Sequence, residues 1–131
     1  MTLSCVPPSV RIATFNINDV IRRLSTLLAW LEQAKPDVVC LQEIKIDDVR
    51  FPIDDISRAG YGAVWHGQSR WHGVAILARG TNPILTRRTL PGDPTDREPR
   101  YIEAAVQGVL RGHFGIRVER IGLGVGWPER M

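Results

Sequence analysis

The apolar residues in the first third of the chain follow two different spacings. Residues 9–15 are rich in β-branched and aromatic side chains, which is typical of a strand, and the Asn-Ile-Asn-Asp segment at 16–19 ends it. From Val20 the apolar residues recur at helical spacing up to a Lys-Pro-Asp stop at 35–37. Residues 38–41 form a continuous apolar run, as in strands that are buried on both faces. The pattern predicts a β-α-β unit with parallel strands, the default for such a crossover.

The remainder of the chain is dominated by strand patterns. Residues 51–59 predict a short helix that ends at Gly60, where the glycine can take up a left-handed conformation. Further strands are predicted at residues 61–66, 71–78, 83–90 and 100–110, of which the first two should form a hairpin. The order of elements predicts an α/β fold that continues into a meander of strands.

The end of the chain has a different composition. Residues 108–131 hold six of the twelve glycines, and their only strand pattern lies around residues 114–118. We therefore expect one domain over residues 1–110 and a divergent tail over residues 111–131, which a frameshift or disorder would explain.

Composition and charge are those of a globular protein with a mildly basic surface. The chain is 44% hydrophobic and 24% charged, its net charge is +3, and only two of its 17 basic residues are lysines. The arginine guanidinium matches phosphate geometry, which favours a nucleic-acid partner. A bias of the gene toward arginine codons would produce the same composition, so charge alone leaves both explanations open.

The sequence also bears on location. No stretch approaches the run of about 18 apolar residues that a membrane helix needs, and the first eight residues lack the features of a secretory leader. The two cysteines are too few for a disulfide framework, so we expect reduced thiols. We predict a cytoplasmic protein with no membrane partner, and no protein partner can be inferred.

Two polar residues stand where the predicted parallel strands end. Asn16 follows the first strand and Glu43 follows the second, and in sheets of this type ligands bind at the carboxyl ends of the strands. A carboxylate is a suitable ligand for Mg²⁺, and Lys45 is close enough to meet a phosphate or to pair with that carboxylate. An asparagine and a glutamate at strand ends also serve as caps and turn formers, so the spacing alone leaves both interpretations open.

Several short words, taken together, carry a resemblance. They are TFNIN at residues 14–18, PDVVCLQEIK at 36–45, GY at 60–61, HGQ at 66–68 and GVAIL at 73–77. In this order and spacing they resemble the exodeoxyribonuclease III and AP endonuclease family of the endonuclease/exonuclease/phosphatase superfamily. One departure is Asp19, where the family commonly has glycine after the second asparagine.

The resemblance implies a fold, an activity and a set of site residues. The implied fold is a four-layer α/β sandwich, of which this chain would hold roughly the first half. The implied activity is Mg²⁺- or Mn²⁺-dependent cleavage of phosphodiesters at abasic sites and 3′ ends of duplex DNA. Carried over by position, Asn16 and Glu43 are metal-site residues, Lys45 is the lysine beside that glutamate, and Arg100 is a substrate-binding arginine before a later strand.

The resemblance ends near residue 110, and the later motifs of the family have no counterpart in this sequence. We therefore expect an incomplete site and an uncovered face on the first sheet. One alternative is a non-catalytic remnant that binds DNA weakly. Another is a relative that acts on lipid or inositol phosphates, which the HGQ and GVA words argue against.

The aromatic residues near these words have simpler explanations. His66 and His72 flank the predicted hairpin, and without a Cys or His cluster they are expected to pack and hydrogen-bond rather than to bind metal. Trp30 and Trp65 are expected in the core, while Trp71 could lie in the core or stack on a base.

Overall fold

The computed structural model describes residues 10–88, 92, 101–107 and 113–119. Within them the strands are β1 Ile12–Asn16, β2 Val38–Gln42, β3 Tyr61–His66, β4 Val74–Arg79, β5 Ile84–Arg87, β6 Tyr101–Gln107 and β7 His113–Glu119. The helices are α1 Leu24–Ala34 and α2 Ile53–Arg58, and a 3₁₀ turn spans Asp48–Arg50. None of the helices in these ranges has the length and apolar character required to cross a membrane.

The strands form two sheets. The first has the order β1-β2-β4-β3, with β1 and β2 parallel and the β3–β4 hairpin antiparallel. The second has the order β5-β6-β7 and is antiparallel throughout. The β-α-β unit and the hairpin predicted from the apolar spacing are both confirmed.

Helix α1 begins later than its apolar pattern predicts. The pattern starts at Val20, but the backbone N–H of Val20 donates to the carbonyl of Ile44 at 3.0 Å, so this segment still pairs with the extension of β2. The helix therefore begins only at Leu24. It ends at Ala34, and the next residue, Lys35, adopts a left-handed conformation and donates its N–H to the carbonyl of Leu31.

Both helices cover the same face of the first sheet. Leu27 and Leu31 of α1 and Ile56 of α2 are fully buried against the apolar residues that β1, β2 and β4 direct to that side. Burial of such side chains is the main favourable contribution to folding, at roughly 1.5–3 kcal/mol each. The sheet therefore has a helix-covered face with its own apolar cluster.

The other face of the first sheet packs against the second sheet. Alternate residues of β2 and β4, among them Cys40 and Ile76, are buried with Ile102 of β6 in a second apolar cluster. The expectation of an uncovered face is wrong for these two strands. On the edge strand β1 the same face is open, since Thr14 is exposed and Ile12 is 51% exposed.

The described residues thus form three layers, helices, sheet and sheet, in the order that the sandwich fold requires. Strand β7 coincides with the pattern noted around residues 114–118. The division of the chain at residue 110 stays a prediction. Arg100 lies outside the described residues, so its predicted role stays a prediction as well.

Candidate functional site

Asn16 and Glu43 lie at the ends of adjacent strands. Asn16 is the last residue of β1 and stands directly beside Gln42, the last residue of β2, in the parallel register. Glu43 is the next residue along the chain. The structure therefore places both predicted residues at the carboxyl edge of the sheet, where ligands bind in folds of this kind.

Backbone pairing continues beyond the two strands and holds these residues in place. The N–H of Ile17 donates to the carbonyl of Gln42 at 3.0 Å, and the N–H of Asp19 donates to the carbonyl of Glu43 at 2.9 Å. Glu43 has a positive φ of 53°, which turns the chain out of the strand. Glu43 is thus positioned by a shared ladder rather than by a free loop.

The side chain of Asn16 stabilises the turn after β1. Its Oδ1 accepts a hydrogen bond from the N–H of Asn18 at 3.0 Å. A carbonyl oxygen has two lone pairs, so this bond leaves one lone pair of Oδ1 for a ligand. Asn16 is therefore both a turn former and a candidate oxygen donor.

Lys45 contacts the same turn from the other strand. Its Nζ donates to Oδ1 of Asn18 at 2.6 Å, across 27 positions of the sequence. Among the described residues Lys45 forms no ion pair with a carboxylate, so pairing with Glu43 is not observed. This hydrogen bond joins the segments that follow β1 and β2 and holds a positive charge at the turn after β1.

Asp19 shows how this sequence accommodates its departure from the family pattern. Its φ of 87° is in the region that favours glycine. Its Oδ1 accepts hydrogen bonds from the N–H groups of Ile21 and Arg22, at 3.1 and 3.2 Å. These bonds satisfy backbone donors before helix α1 and offset the cost of the unfavourable conformation.

Gln42 lies next to Asn16 in the register of β1 and β2, and its role at this edge was not predicted from the sequence. It is only 7% exposed, and its Nε2 donates to Oγ1 of Thr14 at 3.0 Å, while its buried Oε1 has no hydrogen-bond partner. A polar residue at the end of an apolar run was the available signal. Its amide links β1 and β2 on the face where the second sheet packs.

The loop between β3 and β4 also reaches the site. The N–H of Ile44 donates to the carbonyl of Gly73 at 3.2 Å, and the N–H of Lys45 donates to the carbonyl of His72 at 2.9 Å. The glycines in the HGQ and GVA words were the signal for this contact. A side chain on Gly73 would overlap the side chain of Ile44, so glycine is needed for the loop to approach.

Most of the aromatic residues have structural roles. The Trp65 ring stacks on Phe51 and its Nε1 donates to the carbonyl of Asp48, while Trp30 contacts Phe15 edge to face. His66 Nδ1 donates to the carbonyl of Arg88 at 3.0 Å. Trp71, in contrast, is exposed.

The site residues fit part of the coordination shell of a hard cation. Glu43 contributes a carboxylate and Asn16 an amide oxygen, and Mg²⁺ is commonly bound by one or two carboxylates together with water and substrate phosphate. No group of three His, Cys, Asp or Glu residues suited to a metal occurs within the described ranges. A metal here would therefore depend on ligands beyond these two residues.

Comparison with known proteins agrees with this geometry. The model of the endonuclease/exonuclease/phosphatase family matches residues 13–129. Exodeoxyribonuclease III from Haemophilus influenzae is 36% identical over 111 residues, which cover 80% of this chain and 41% of the relative.

Solved structures show the same fold. The 3′ phosphatase NExo from Neisseria, bound to a product DNA hairpin, matches with a TM-score of 0.72 at 36% identity, over 77% of this chain and 39% of that one. An AP endonuclease from Archaeoglobus fulgidus matches with a TM-score of 0.67 at 38% identity, over 73% of this chain and 37% of that one. The chain spans about two fifths of the length of these relatives. It belongs to the endonuclease/exonuclease/phosphatase family.

Proposed function

We propose that this chain is the amino-terminal part of a metal-dependent DNA-repair nuclease of the exodeoxyribonuclease III kind. The observation that carries the proposal is the position of Asn16 and Glu43 at adjacent strand ends, with Lys45 hydrogen-bonded to Asn18 in the turn after β1. The names of the relatives, an exodeoxyribonuclease III, an AP endonuclease and a DNA-bound 3′ phosphatase, support DNA as the substrate. Abasic sites and 3′ ends of duplex DNA are the proposed points of cleavage, and the cytoplasm is the proposed location.

The residues of this chain would act on the phosphate of the scissile bond. Glu43, with Asn16, would hold a divalent cation, Mg²⁺ or Mn²⁺, which neutralises charge that develops on the phosphate oxygens. The Nδ2 group of Asn16 can donate a hydrogen bond to a phosphate oxygen, while its Oδ1 keeps the turn in shape. The ammonium group of Lys45 adds a fixed positive charge beside the reacting phosphate, which stabilises an anionic transition state.

A second candidate is a chain that binds DNA without cleaving it. Glu43 directly follows β2, whereas the carboxylate of Asp19, on the extension of β1, accepts hydrogen bonds from the N–H groups of Ile21 and Arg22. A single carboxylate holds hydrated Mg²⁺ weakly. General acid or base catalysis typically contributes a further 10²–10⁴-fold, and Asn16 and Glu43, as metal ligands, would not provide it. We therefore expect this chain alone to bind DNA in a salt-dependent manner without appreciable turnover.

The first test is to incubate the purified chain with abasic-site duplex DNA, with and without Mg²⁺. Glu43→Gln removes the charge of the proposed ligand, and Glu32→Gln, an exposed carboxylate of helix α1, is the matched control. We expect binding without incision in all three proteins. Mg²⁺-dependent incision that is lost in Glu43→Gln but kept in Glu32→Gln would show that this chain is already a working enzyme.

A chimera separates the two candidates. The matching segment of the Haemophilus exodeoxyribonuclease III is replaced by the aligned segment of this chain, which supplies Asn16, Glu43 and Lys45 in the context of the longer relative. We expect a folded chimera to cleave abasic DNA with Mg²⁺, and the Glu43→Gln chimera to lose roughly 10²-fold or more of that rate. A folded but inactive chimera would favour the non-catalytic candidate, and equal rates with Glu43→Gln would contradict the role of Glu43.

A further inference from the structure

Trp71 is a large aromatic side chain that the fold leaves in solvent. It is 63% exposed, in the loop of residues 67–73 that joins β3 and β4. Trp30 and Trp65, by comparison, pack against other rings. Single exposed apolar residues are common on protein surfaces, so the position of Trp71 relative to the candidate site decides whether it has a role.

The loop that carries Trp71 is hydrogen-bonded to the segment that directly follows Glu43. The carbonyls of His72 and Gly73, which directly follow Trp71, accept hydrogen bonds from Lys45 and Ile44. At the other end of the loop, Gly67 packs so closely on the carbonyl of Ile46 that a side chain would overlap it. Trp71 is therefore attached to the same segment that carries Glu43.

The backbone on both sides of Trp71 is held in an uncommon conformation. Arg70 and His72 have positive φ angles of 75° and 56°. Non-glycine residues in this region cost of order 1–3 kcal/mol each and persist where the surrounding contacts enforce them, often at ligand-binding sites. The loop is thus shaped to present Trp71 outward.

The surroundings of Trp71 are polar and positively charged. Gln68, Ser69 and Arg70 are exposed, and residues 67–73 include no acidic residue. Arg70 forms no ion pair within the described part of the chain. A protein interface is usually built around a cluster of apolar residues. An exposed aromatic ring next to a positively charged arginine instead suits the base stacking and backbone contacts of single-stranded nucleic acid.

We propose that Trp71 stacks on an unpaired DNA base next to the candidate site, while Arg70 contacts the adjacent phosphate. This inference rests on the proposed function, because it takes DNA as the substrate. It adds that the protein binds DNA at a position where a base is unpaired, such as a frayed end, an overhang or the position opposite a lesion. Stacking is tolerant of sequence, since every base has an aromatic face.

The test compares the binding of a duplex with an unpaired 3′ overhang and of a blunt duplex to the full chain. Trp71→Ala should weaken binding to the overhang duplex roughly tenfold and leave the blunt duplex little changed, because stacking is lost. Trp71→Phe keeps an aromatic ring and should retain most of the affinity. Ile12→Ala, which shortens an exposed side chain at the far end of β1, is the control and should bind like the parent.

Tryptophan fluorescence gives an independent measurement. The overhang duplex should quench the emission of the parent, and Trp71→Phe should lose that quenching even if Trp71→Ala proves unstable. Overhang binding by Trp71→Ala within about twofold of the parent, or equal weakening on both duplexes, would overturn the stacking role while leaving DNA binding intact. A parent chain that binds neither duplex would overturn this inference and the proposed function together.

Discussion

At the scale of single residues, backbone strain is concentrated around the candidate site. Within the described ranges seven non-glycine residues have a positive φ, and six of them lie in the segments that border the site. The six are Asn18, Asp19, Glu43, Lys45, Arg70 and His72. Hydrogen bonds between the strand ends and the loop hold these conformations, whose cost is of order 1–3 kcal/mol each. These backbone conformations lower the stability of the folded state and position the side chains that border the site.

Two variants of Asp19 measure how much the backbone conformation and the side-chain hydrogen bonds contribute to the free energy of unfolding. Asp19→Ala removes the hydrogen bonds to Ile21 and Arg22 but keeps a Cβ at a φ of 87°, so we expect the free energy of unfolding to fall. The expected loss is about 1–3 kcal/mol. Asp19→Gly loses the same bonds but relieves the backbone, and should stay within about 1 kcal/mol of the parent. Urea denaturation of the three proteins measures both values, and an alanine variant more stable than the glycine variant would contradict the explanation.

At the scale of elements, the important contact is between the β3–β4 loop and the segment after β2. It depends on glycines, because Gly73 faces Ile44 without space for a side chain. Gly80, at the end of β4, also has a positive φ but has open space around its Cα. Substitutions at the two positions therefore separate the free-energy cost of the left-handed backbone conformation from the cost of crowding against Ile44.

We expect Gly80→Ala to lower the free energy of unfolding by about 1 kcal/mol, the cost of a left-handed conformation in a residue with a Cβ. Gly73→Ala should cost roughly 2–4 kcal/mol, because the added methyl group also displaces Ile44. Thermal or urea unfolding followed by circular dichroism measures the difference. Equal losses in the two variants would mean that the loop moves freely away from the Glu43 segment.

At the scale of the whole molecule, two sheets enclose a single apolar layer. Cys40 lies in that layer as a free thiol, and burial raises its pKa from 9.0 to about 12. The folded state therefore keeps the thiol proton at a pH where the unfolded state has lost it. The contribution is fully present below pH 9, and stability falls as the pH rises from 9 toward about 12.

The prediction is a difference between the parent and Cys40→Ala. Above pH 9 the free energy of unfolding of the parent should decline more steeply, by up to about 1.4 kcal/mol per pH unit, because one additional proton is released on unfolding. Below pH 9 the difference between the two proteins should not depend on pH. Urea denaturation at a series of pH values measures it. Parallel curves above pH 9 would show that the second sheet does not shield this position from water.

The amino-acid sequence by itself determined the local elements and the position of the first site residues. Apolar spacing was sufficient for the β-α-β unit and the hairpin, because periodicity reports which face of an element is buried. It also located Asn16 and Glu43, since residues that follow parallel strands meet at one edge. The start of helix α1 was misplaced because backbone bonds between the extensions of β1 and β2 compete with the helix for residues 17–20.

Tertiary structure alone decided how the site is assembled. The Lys45–Asn18 contact joins residues that are 27 positions apart. The glycines at 67 and 73 indicate that the β3–β4 loop approaches other backbone closely, but they do not identify the Glu43 segment as its partner. The same holds for the exposure of Trp71 and the burial of Gln42. The spacing of apolar residues describes one element at a time. The features of the site depend instead on the register and packing of elements that are distant in the chain, and these are stabilised by many contacts formed together.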